Sequence, residues 1–409
     1  MTYHAILIAS IFLLLAFAIE RIGRASGLPT VIAMVGLGLV AHPLLGSLQY
    51  TLKGLDIVVP IIGTIGLVLI VLEGALDIEL KKDRLKMAKG AIAMSVFGLV
   101  SCVGIFGSIA VWLLGLSWFQ AALITLPFAM ISSAIAIPSC HFLPPHGREF
   151  VVYESSISDI LGVLVFFALL NSDGTLGNIV QKLLGGGALS LLLAVICSVG
   201  LVLVLMRIEG HIRFIPLLAG LFGLYAVGEL LHLSPLIMVL FFGLALNNPS
   251  LITRIRPLRG WTDKKYRPTL NEFKVLVKEL TFAVRGFFFI LLGYWTDLSD
   301  LASLHAWLAA ILILGVVYLG RHLALKALQV DLASALTWIA PRGLITVLLY
   351  FSARKALDMP PFMSGTVVLV VLISAALVAI AQRIHVANET EAKPKPASPE
   401  TSSEGSAPV

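Results

Sequence analysis

Long apolar stretches, separated by short polar segments, repeat along almost the whole chain. Most are close to 20 residues, the length at which an α-helix crosses the hydrocarbon core of a bilayer. Leu, Ile, Val and Ala run through them without the alternation of a transmembrane β-barrel. The pattern predicts an all-α polytopic membrane protein with thirteen transmembrane helices. Their approximate bounds are 4–19, 28–47, 56–76, 90–114, 117–139, 149–170, 183–206, 213–231, 234–247, 280–295, 302–324, 332–352 and 361–382.

Basic residues are concentrated in every second loop, which predicts the orientation of the chain. The opposite loops contain only Lys53, Lys182, Arg354 and Lys355. By the positive-inside rule the amino terminus lies outside and the carboxyl terminus is cytoplasmic. The net charge of +6 therefore reflects membrane topology, and no nucleic-acid partner is expected. Membrane lipids are the expected surroundings.

Two terminal segments need separate interpretation. The run at 4–19 ends near Ala16-Phe-Ala18, which resembles a signal-peptidase site, but basic residues follow it and none precedes it. We therefore expect a first transmembrane span. Residues 1–385 are predicted to form one transmembrane domain. Residues 386–409 are rich in Pro, Ser, Glu, Lys and Ala, which predicts a disordered cytoplasmic tail.

Two spans carry helix-breaking residues at matching positions. The fifth contains Ser132, Ser133, Ala134 and Pro138, and the twelfth contains Pro341 and Gly343. Each is the next-to-last span of a six-span unit, with span 7 as a linker. A simple proline kink is the alternative for either span alone. Their correspondence predicts two inverted six-helix repeats with broken crossing helices 5 and 12.

The sixth span places two carboxylates, Glu154 and Asp159, inside an apolar run that continues to residue 170. An ionisable side chain at the bilayer centre costs about 2.5–3.5 kcal/mol on insertion scales and usually marks an ion or proton path. With a rise of 1.5 Å per residue, Asp159 lies about 15 Å from the cytoplasmic end, near the midplane. Ser155 lies on the same side of the helix as Asp159. Glu154 lies about 140° away, which predicts separate partners for the two carboxylates.

A lone carboxylate at the midplane can be neutralised by a proton or by a small hard cation, but not by both together. Alternate exposure of Asp159 to the two sides would therefore exchange a transported monovalent cation for a proton. Further oxygen ligands are expected from Ser132, Ser133 and Ser155, and no cofactor is expected. A purely structural Asp159, bonded to neighbouring helices, is the alternative.

The sequence patterns also bear on three functions other than antiport. A cation-coupled symporter of a small organic solute remains the alternative, because broken helices also bind organic substrates. A gated channel is disfavoured by the internal duplication and the buried titratable group. An enzyme would need a nucleophile with its base, or metal ligands such as His-Glu-x-x-His, and neither pattern occurs.

Residues 154–159 read Glu-Ser-Ser-Ile-Ser-Asp, which resembles the Glu-Ser-x-x-Asn-Asp motif in the sixth span of cation/proton antiporters. It resembles in particular the branch that includes sodium/proton exchangers with thirteen spans. Arg321 in Leu-Gly-Arg-His, Arg342 in Ala-Pro-Arg-Gly-Leu and Glu73 in Leu-Glu-Gly-Ala-Leu resemble further family motifs. The resemblance covers roughly residues 10–380.

This resemblance implies that Asp159 binds the transported ion, with help from Ser155. It also implies a structural ion pair between Glu154 and Arg321, and a homodimer in a bacterial inner membrane that contributes to pH homeostasis.

Two other intramembrane charges are open to more than one interpretation. Glu73 is expected to pair with Arg342, the alternative being that Glu73 reaches water at the cytoplasmic end of its span. Arg285 could neutralise carbonyl groups at helix ends or bind lipid head groups.

The chain departs from the family pattern at two points. The fifth-span break reads Ser-Ser-Ala from Ser132, where many relatives have Thr-Asp-Pro, and is closer to a branch that includes potassium/proton exchangers. Sodium, potassium and lithium therefore all stay open as the cation. Ser158 replaces the family's Asn, and so removes an amide that could brace the site. It also stands where electrogenic relatives have an extra Asp, which indicates an electroneutral one-for-one exchange.

Overall fold

Helices account for all the regular secondary structure that the computed structural model describes. The described residues are 2–26, 30–47, 55–78, 85–181, 192–193, 195–197, 200, 214–231, 235–248, 266–330 and 332–392. The all-helical class predicted from the apolar pattern is confirmed over these residues. The predicted seventh span, 183–206, falls almost entirely outside them.

The first part of the chain folds into long apolar helices, one of them interrupted. Its helices are α1 (Thr2–Ser26), α2 (Thr30–Ser47), α3 (Leu55–Asp77), α4 (Leu85–Leu114), α5 (Trp118–Thr125), α6 (Ser133–Ser139), α7 (Pro145–Leu170) and α8 (Leu176–Gln181). A 3-10 turn at Leu126–Phe128 continues α5. The non-helical residues 129–132 then separate it from α6.

The second part contains the other interrupted helix. Its helices are α9 (Phe214–Leu230), α10 (Pro235–Asn247), α11 (Tyr266–Trp295), α12 (Leu298–Ala302), α13 (Leu304–Ala327), α14 (Ala333–Trp338), α15 (Leu344–Ala356) and α16 (Met363–Ala392). The non-helical segment 339–343 separates α14 from α15.

Six helical segments among the described residues are long and apolar enough to cross a membrane. They are Thr30–Ser47, Met87–Leu114, Trp118–Ser139, Pro145–Leu170, Leu304–Ala327 and Met363–His385. The prediction of a membrane-spanning protein agrees with them. The count of thirteen spans and the inverted repeats remain predictions.

Helix α11 begins earlier than predicted. Residues 266–279 were expected to belong to a cytoplasmic loop, but α11 starts at Tyr266. The reason is an amphipathic pattern, in which Leu270, Phe273 and Val277 recur every three or four residues and are all buried. The average hydropathy of residues 266–279 is that of a polar loop, so it did not predict this buried helical face.

Helix α16 ends later than predicted. A disordered tail was expected from residue 386, but α16 continues to Ala392. The added turns contain Ala and Glu, which favour helix although they are too polar for a membrane core. The rest of the expected tail, 393–409, lies outside the described residues.

The core forms where the long helices cross at close range. Helix α4 packs against α7, α3 packs against α10 and α11, and α13 packs against α16. At the crossing of α2 and α11, a Cβ on Gly38 would overlap the Ile290 carbonyl oxygen, and one on Gly293 would overlap that of Val35. Glycine therefore lets these two backbones touch. The two interrupted helices come together among these packed helices.

Candidate ion-binding site

The two helix interruptions are joined to each other by a backbone hydrogen bond. The Ser132 amide donates to the Pro341 carbonyl oxygen at 2.8 Å. A Cβ on Gly343 would overlap the Ser132 side chain, so the approach of the two segments depends on glycine at this position. The structure therefore brings residues more than 200 positions apart into one crossing.

The first interruption lies a few residues before two of the predicted breaking residues. The non-helical segment is 129–132, whereas Ala134 and Pro138 are inside α6. Proline has no amide hydrogen, so Pro138 leaves the carbonyl of Ala134 without its helical donor. Arg285 supplies that donor from α11, with Nη1 at 3.4 Å from the Ala134 oxygen. Pro341 and Gly343 lie in the second interruption, 339–343.

Asp159 faces the first interruption from the middle of α7. Its side chain is 5% exposed. Oδ2 accepts a hydrogen bond from the Ser133 hydroxyl at 2.6 Å and another from the Ser133 amide at 3.3 Å. Oδ1 is buried and has no hydrogen-bond partner. One carboxylate oxygen is thus held in place while the other is available to a proton or a cation.

The other serines predicted for the site lie nearby but make different bonds. The Ser155 hydroxyl donates to the Val151 carbonyl of its own helix at 2.7 Å. Ser132 is buried and contributes its amide to the bond with Pro341. Of the three predicted serine ligands, Ser133 is the one that contacts Asp159 in this structure.

Ser158 has a role that the sequence interpretation missed. Its hydroxyl accepts a hydrogen bond from the Ile131 amide at 3.2 Å, within the first interruption. Ser158 therefore takes up a backbone donor that the broken helix leaves unpaired. The sequence did single out this position, because a serine replaces the family's Asn here, but the replacement predicted only the loss of an amide.

Glu154 and Arg321 form a buried ion pair, as the resemblance implied. Both guanidinium nitrogens Nη1 and Nη2 donate to the Glu154 carboxylate, and the Nη2 to Oε2 distance is 2.8 Å. Glu154 is 2% exposed and Arg321 is 6% exposed. The Arg321 Nε also donates to the Leu336 carbonyl at 2.9 Å, near the end of α14. The pair links α7, α13 and α14.

The predicted ion pair between Glu73 and Arg342 is wrong. Arg342 donates through Nη1 to the Ala129 carbonyl at 3.3 Å. The charged neighbours of Glu73 are Arg285, Asp77 and Lys278. Asp77 follows Glu73 one turn later on α3, whereas Arg285 and Lys278 lie there because α3 packs against α11, a pairing of helices that the sequence alone does not determine.

Comparison with known proteins gives independent information. The family model described as "Sodium/hydrogen exchanger, transmembrane" matches residues 6–383. No curated protein matches the chain. Among solved structures, the sodium proton antiporter MjNhaP1 from Methanocaldococcus jannaschii at pH 8 is similar, with a TM-score of 0.73 and 21% identity over 94% of this chain and 98% of that one. An electron-microscopy structure of MjNhaP1 has a TM-score of 0.70 and 21% identity, over 97% of this chain and 100% of that one. At this identity the likeness concerns the fold.

Proposed function

The chain belongs to the sodium/hydrogen exchanger family, and on that premise we propose that it exchanges monovalent cations for protons at Asp159. The observation that carries the proposal is the geometry of this carboxylate. It is buried, Ser133 holds its Oδ2, and its Oδ1 has no partner. An ionisable side chain is costly to place inside a membrane, and such residues usually mark an ion or proton path.

Competition at one carboxylate provides the coupling. A bound cation and a bound proton both neutralise Asp159, and each excludes the other. Coupled exchange requires that the site changes its exposure when it carries a cation or a proton, and not when it is empty. When the site carries a cation in one direction and a proton in the other, the cycle exchanges the two ions across the membrane.

Alternating access is expected at the crossing of the two interrupted helices. Segments 129–132 and 339–343 meet beside Asp159, and transporters of inverted-repeat design rock around such unwound segments. In our proposal the Glu154–Arg321 pair is structural and keeps α7 attached to α13 and α14. Ser132 and Ser155 are within the same region and could become ligands in another state of the cycle.

Several finer features belong to the same proposal. Sodium is the cation that the family model names, the serine-rich break adds potassium as a candidate, and lithium is a further candidate. A single titratable carboxylate supports an electroneutral exchange of one cation for one proton. We place the protein as a homodimer in a bacterial inner membrane, surrounded by lipid and acting in pH homeostasis, with its amino terminus outside and its carboxyl terminus cytoplasmic. Residues 1–385 would form the transporting domain.

The alternative function, symport of an organic solute, needs room for that solute near the ion. The cavity lined by Ser158 has a volume of about 30 Å³, which is enough for one or two water-sized species. An organic solute would not fit there. This observation favours antiport over symport.

The test uses purified protein in liposomes with an imposed pH gradient. Addition of sodium, potassium or lithium salts, without any organic solute, is expected to dissipate the gradient. Asp159→Asn should abolish the response because its amide cannot release a proton in exchange for a cation. The matched control is Asp173→Asn, the same substitution at an exposed position after α7, which should keep the response. Undiminished exchange by correctly folded Asp159→Asn would refute the proposal.

A further inference from the structure

A small polar cavity lies beside the candidate ion site and does not include Asp159. It lies between α4, α7, α13 and the two helix interruptions, is partly open, and has a volume of about 30 Å³. The polar groups in its wall are those of Ser95, Ser101, Cys102, Ser158, Arg321 and Arg342. Two guanidinium groups and three hydroxyls around one small space form an unusual lining for the interior of a membrane protein.

One of the two guanidinium groups lacks a negative partner at close range. Arg321 is neutralised by Glu154. Arg342 is 3% exposed, its Nη1 donates to the neutral carbonyl of Ala129, and its Nε has no hydrogen-bond partner. Among the described residues, Arg342 has no carboxylate within ion-pair distance. A buried charge in this condition is costly unless something compensates it.

The compensating charge depends on the state of Asp159. The buried charged groups here are Glu154, Arg321, Asp159 and Arg342, and Arg342 interacts electrostatically with Asp159. With Asp159 ionised, the two negative and two positive charges balance. Once a proton or a cation neutralises Asp159, one positive charge remains in excess beside the cavity.

From this we propose that the cavity is a binding site for one small inorganic anion of the halide type. The hydroxyls of Ser95 and Ser101 donate to backbone carbonyls in this structure. The guanidinium groups of Arg342 and Arg321 would supply the charge, and the unpartnered Nε–H of Arg342 would supply a donor. Charge-assisted hydrogen bonds of this kind hold anions in water-poor surroundings. Water alone is the competing occupant, and the experiment below separates the two.

The anion site is coupled to the ion site. Neutralising Asp159 leaves the excess positive charge, so an anion binds more tightly to the loaded protein than to the empty one. By thermodynamic linkage, the anion in turn stabilises the loaded site by the same factor. This coupling rests on the proposed function, whereas the existence of the anion site does not.

The test compares melting of the purified full-length protein in sodium chloride and in sodium gluconate at equal sodium concentration. Gluconate is too large for a cavity of about 30 Å³. A bound anion stabilises the folded state, so saturating chloride should raise the melting temperature by about 2 °C or more. The rise should be larger in Asp159→Asn, where the site is permanently neutral.

A matched pair of glycines on α4 tests the location. Gly98 lines the cavity, and a Cβ there would lie 3.9 Å from the Ala129 oxygen, an ordinary contact. Gly98→Ala should therefore fold and lose the chloride effect because its methyl group narrows the cavity. At Gly104, on the same helix, a Cβ meets nothing within 4 Å. Gly104→Ala should keep the chloride effect.

Crystals grown in sodium bromide give a direct readout, with an anomalous peak expected between Arg321 and Arg342. Equal melting in chloride and gluconate, in both wild type and Asp159→Asn, would leave water as the occupant and overturn the proposal. A full chloride effect in Gly98→Ala would overturn it as well. Should Asp159→Asn still exchange ions while chloride stabilises wild type, the proposed function fails and the anion site stands.

Discussion

Asp159 satisfies only half of its hydrogen-bonding capacity within the protein. Ser133 supplies both donors to Oδ2, through its hydroxyl and its amide. The amide is part of the backbone and stays in any variant, but the hydroxyl can be removed. At the residue scale, Asp159 therefore receives one hydrogen bond from the backbone and one from the Ser133 side chain, and a side-chain substitution removes only the second.

Ser133→Ala should weaken cation binding more than Ser155→Ala. The Ser133 hydroxyl bonds the carboxylate at 2.6 Å, and a hydrogen bond to a charged group contributes about 1.5–3 kcal/mol. The apparent KM for sodium should rise about tenfold, since 1.4 kcal/mol corresponds to a factor of ten. Ser155 is also buried, but its hydroxyl bonds the Val151 carbonyl, so its loss should change KM little. Equal effects of the two substitutions would show that Ser155 becomes a ligand during the cycle.

At the scale of the helix, arginines donate hydrogen bonds to backbone carbonyl groups in or beside the two interruptions. Arg342 donates to the Ala129 carbonyl, Arg321 to the Leu336 carbonyl and Arg285 to the Ala134 carbonyl. Each carbonyl lies in or beside an interrupted helix, where normal helical donors are missing. Positive charge is also favourable at the carboxyl-terminal ends of helices. These arginines thus explain how unwound backbone is tolerated inside the membrane.

The contact between the interruptions is predicted to depend on Gly343. In Gly343→Ala the new methyl group would overlap the Ser132 side chain, and a misfit of this kind costs about 1–3 kcal/mol. We expect a lower melting temperature and a marked loss of exchange, because segments 129–132 and 339–343 move apart beside Asp159. Gly315→Ala on α13 is the control, since a Cβ there meets nothing within 4 Å. If Gly343→Ala exchanged ions at the wild-type rate, the crossing would have no role in transport.

At the scale of the whole molecule, few charged groups near the site can change their charge during transport. Among the described residues near the crossing, Glu154 is neutralised by Arg321, which leaves Asp159 as the carboxylate that can change its load. A proton or a monovalent cation brings the same charge. The loaded protein is thus electrically the same in both directions of the cycle.

Exchange should therefore not respond to membrane potential. In liposomes with a potassium gradient and valinomycin, an imposed voltage of either sign should leave the initial rate of sodium/proton exchange unchanged. Moving one elementary charge through 100 mV is worth about 2.3 kcal/mol, so an electrogenic cycle would respond clearly. The same potassium gradient without valinomycin is the control, because it imposes no voltage and reports any potassium/proton exchange by the protein itself. Acceleration by voltage would mean that a second titrating group takes part.

At the same scale, the local pattern predicted much of the architecture. The apolar runs identified the membrane helices because span length and hydropathy are properties of consecutive residues. The start of α11 was missed because polar residues on its other face lowered the average hydropathy, and the end of α16 because its last turns are polar but favour helix. The residues around the two helix breaks were also recognisable, although the first interruption lies at 129–132, ahead of Ala134 and Pro138.

The sequence by itself determined that Asp159 and Glu154 are intramembrane carboxylates on different sides of one helix, because helical geometry follows from the spacing of residues. Only the tertiary structure decided their partners. Ser133 rather than Ser155 bonds Asp159, and Arg342 lies at Ala129 rather than at Glu73. Such contacts join different helices, some of them distant along the chain, and their formation depends on which helices cross and at what depth. The sequence of a single span does not determine that crossing.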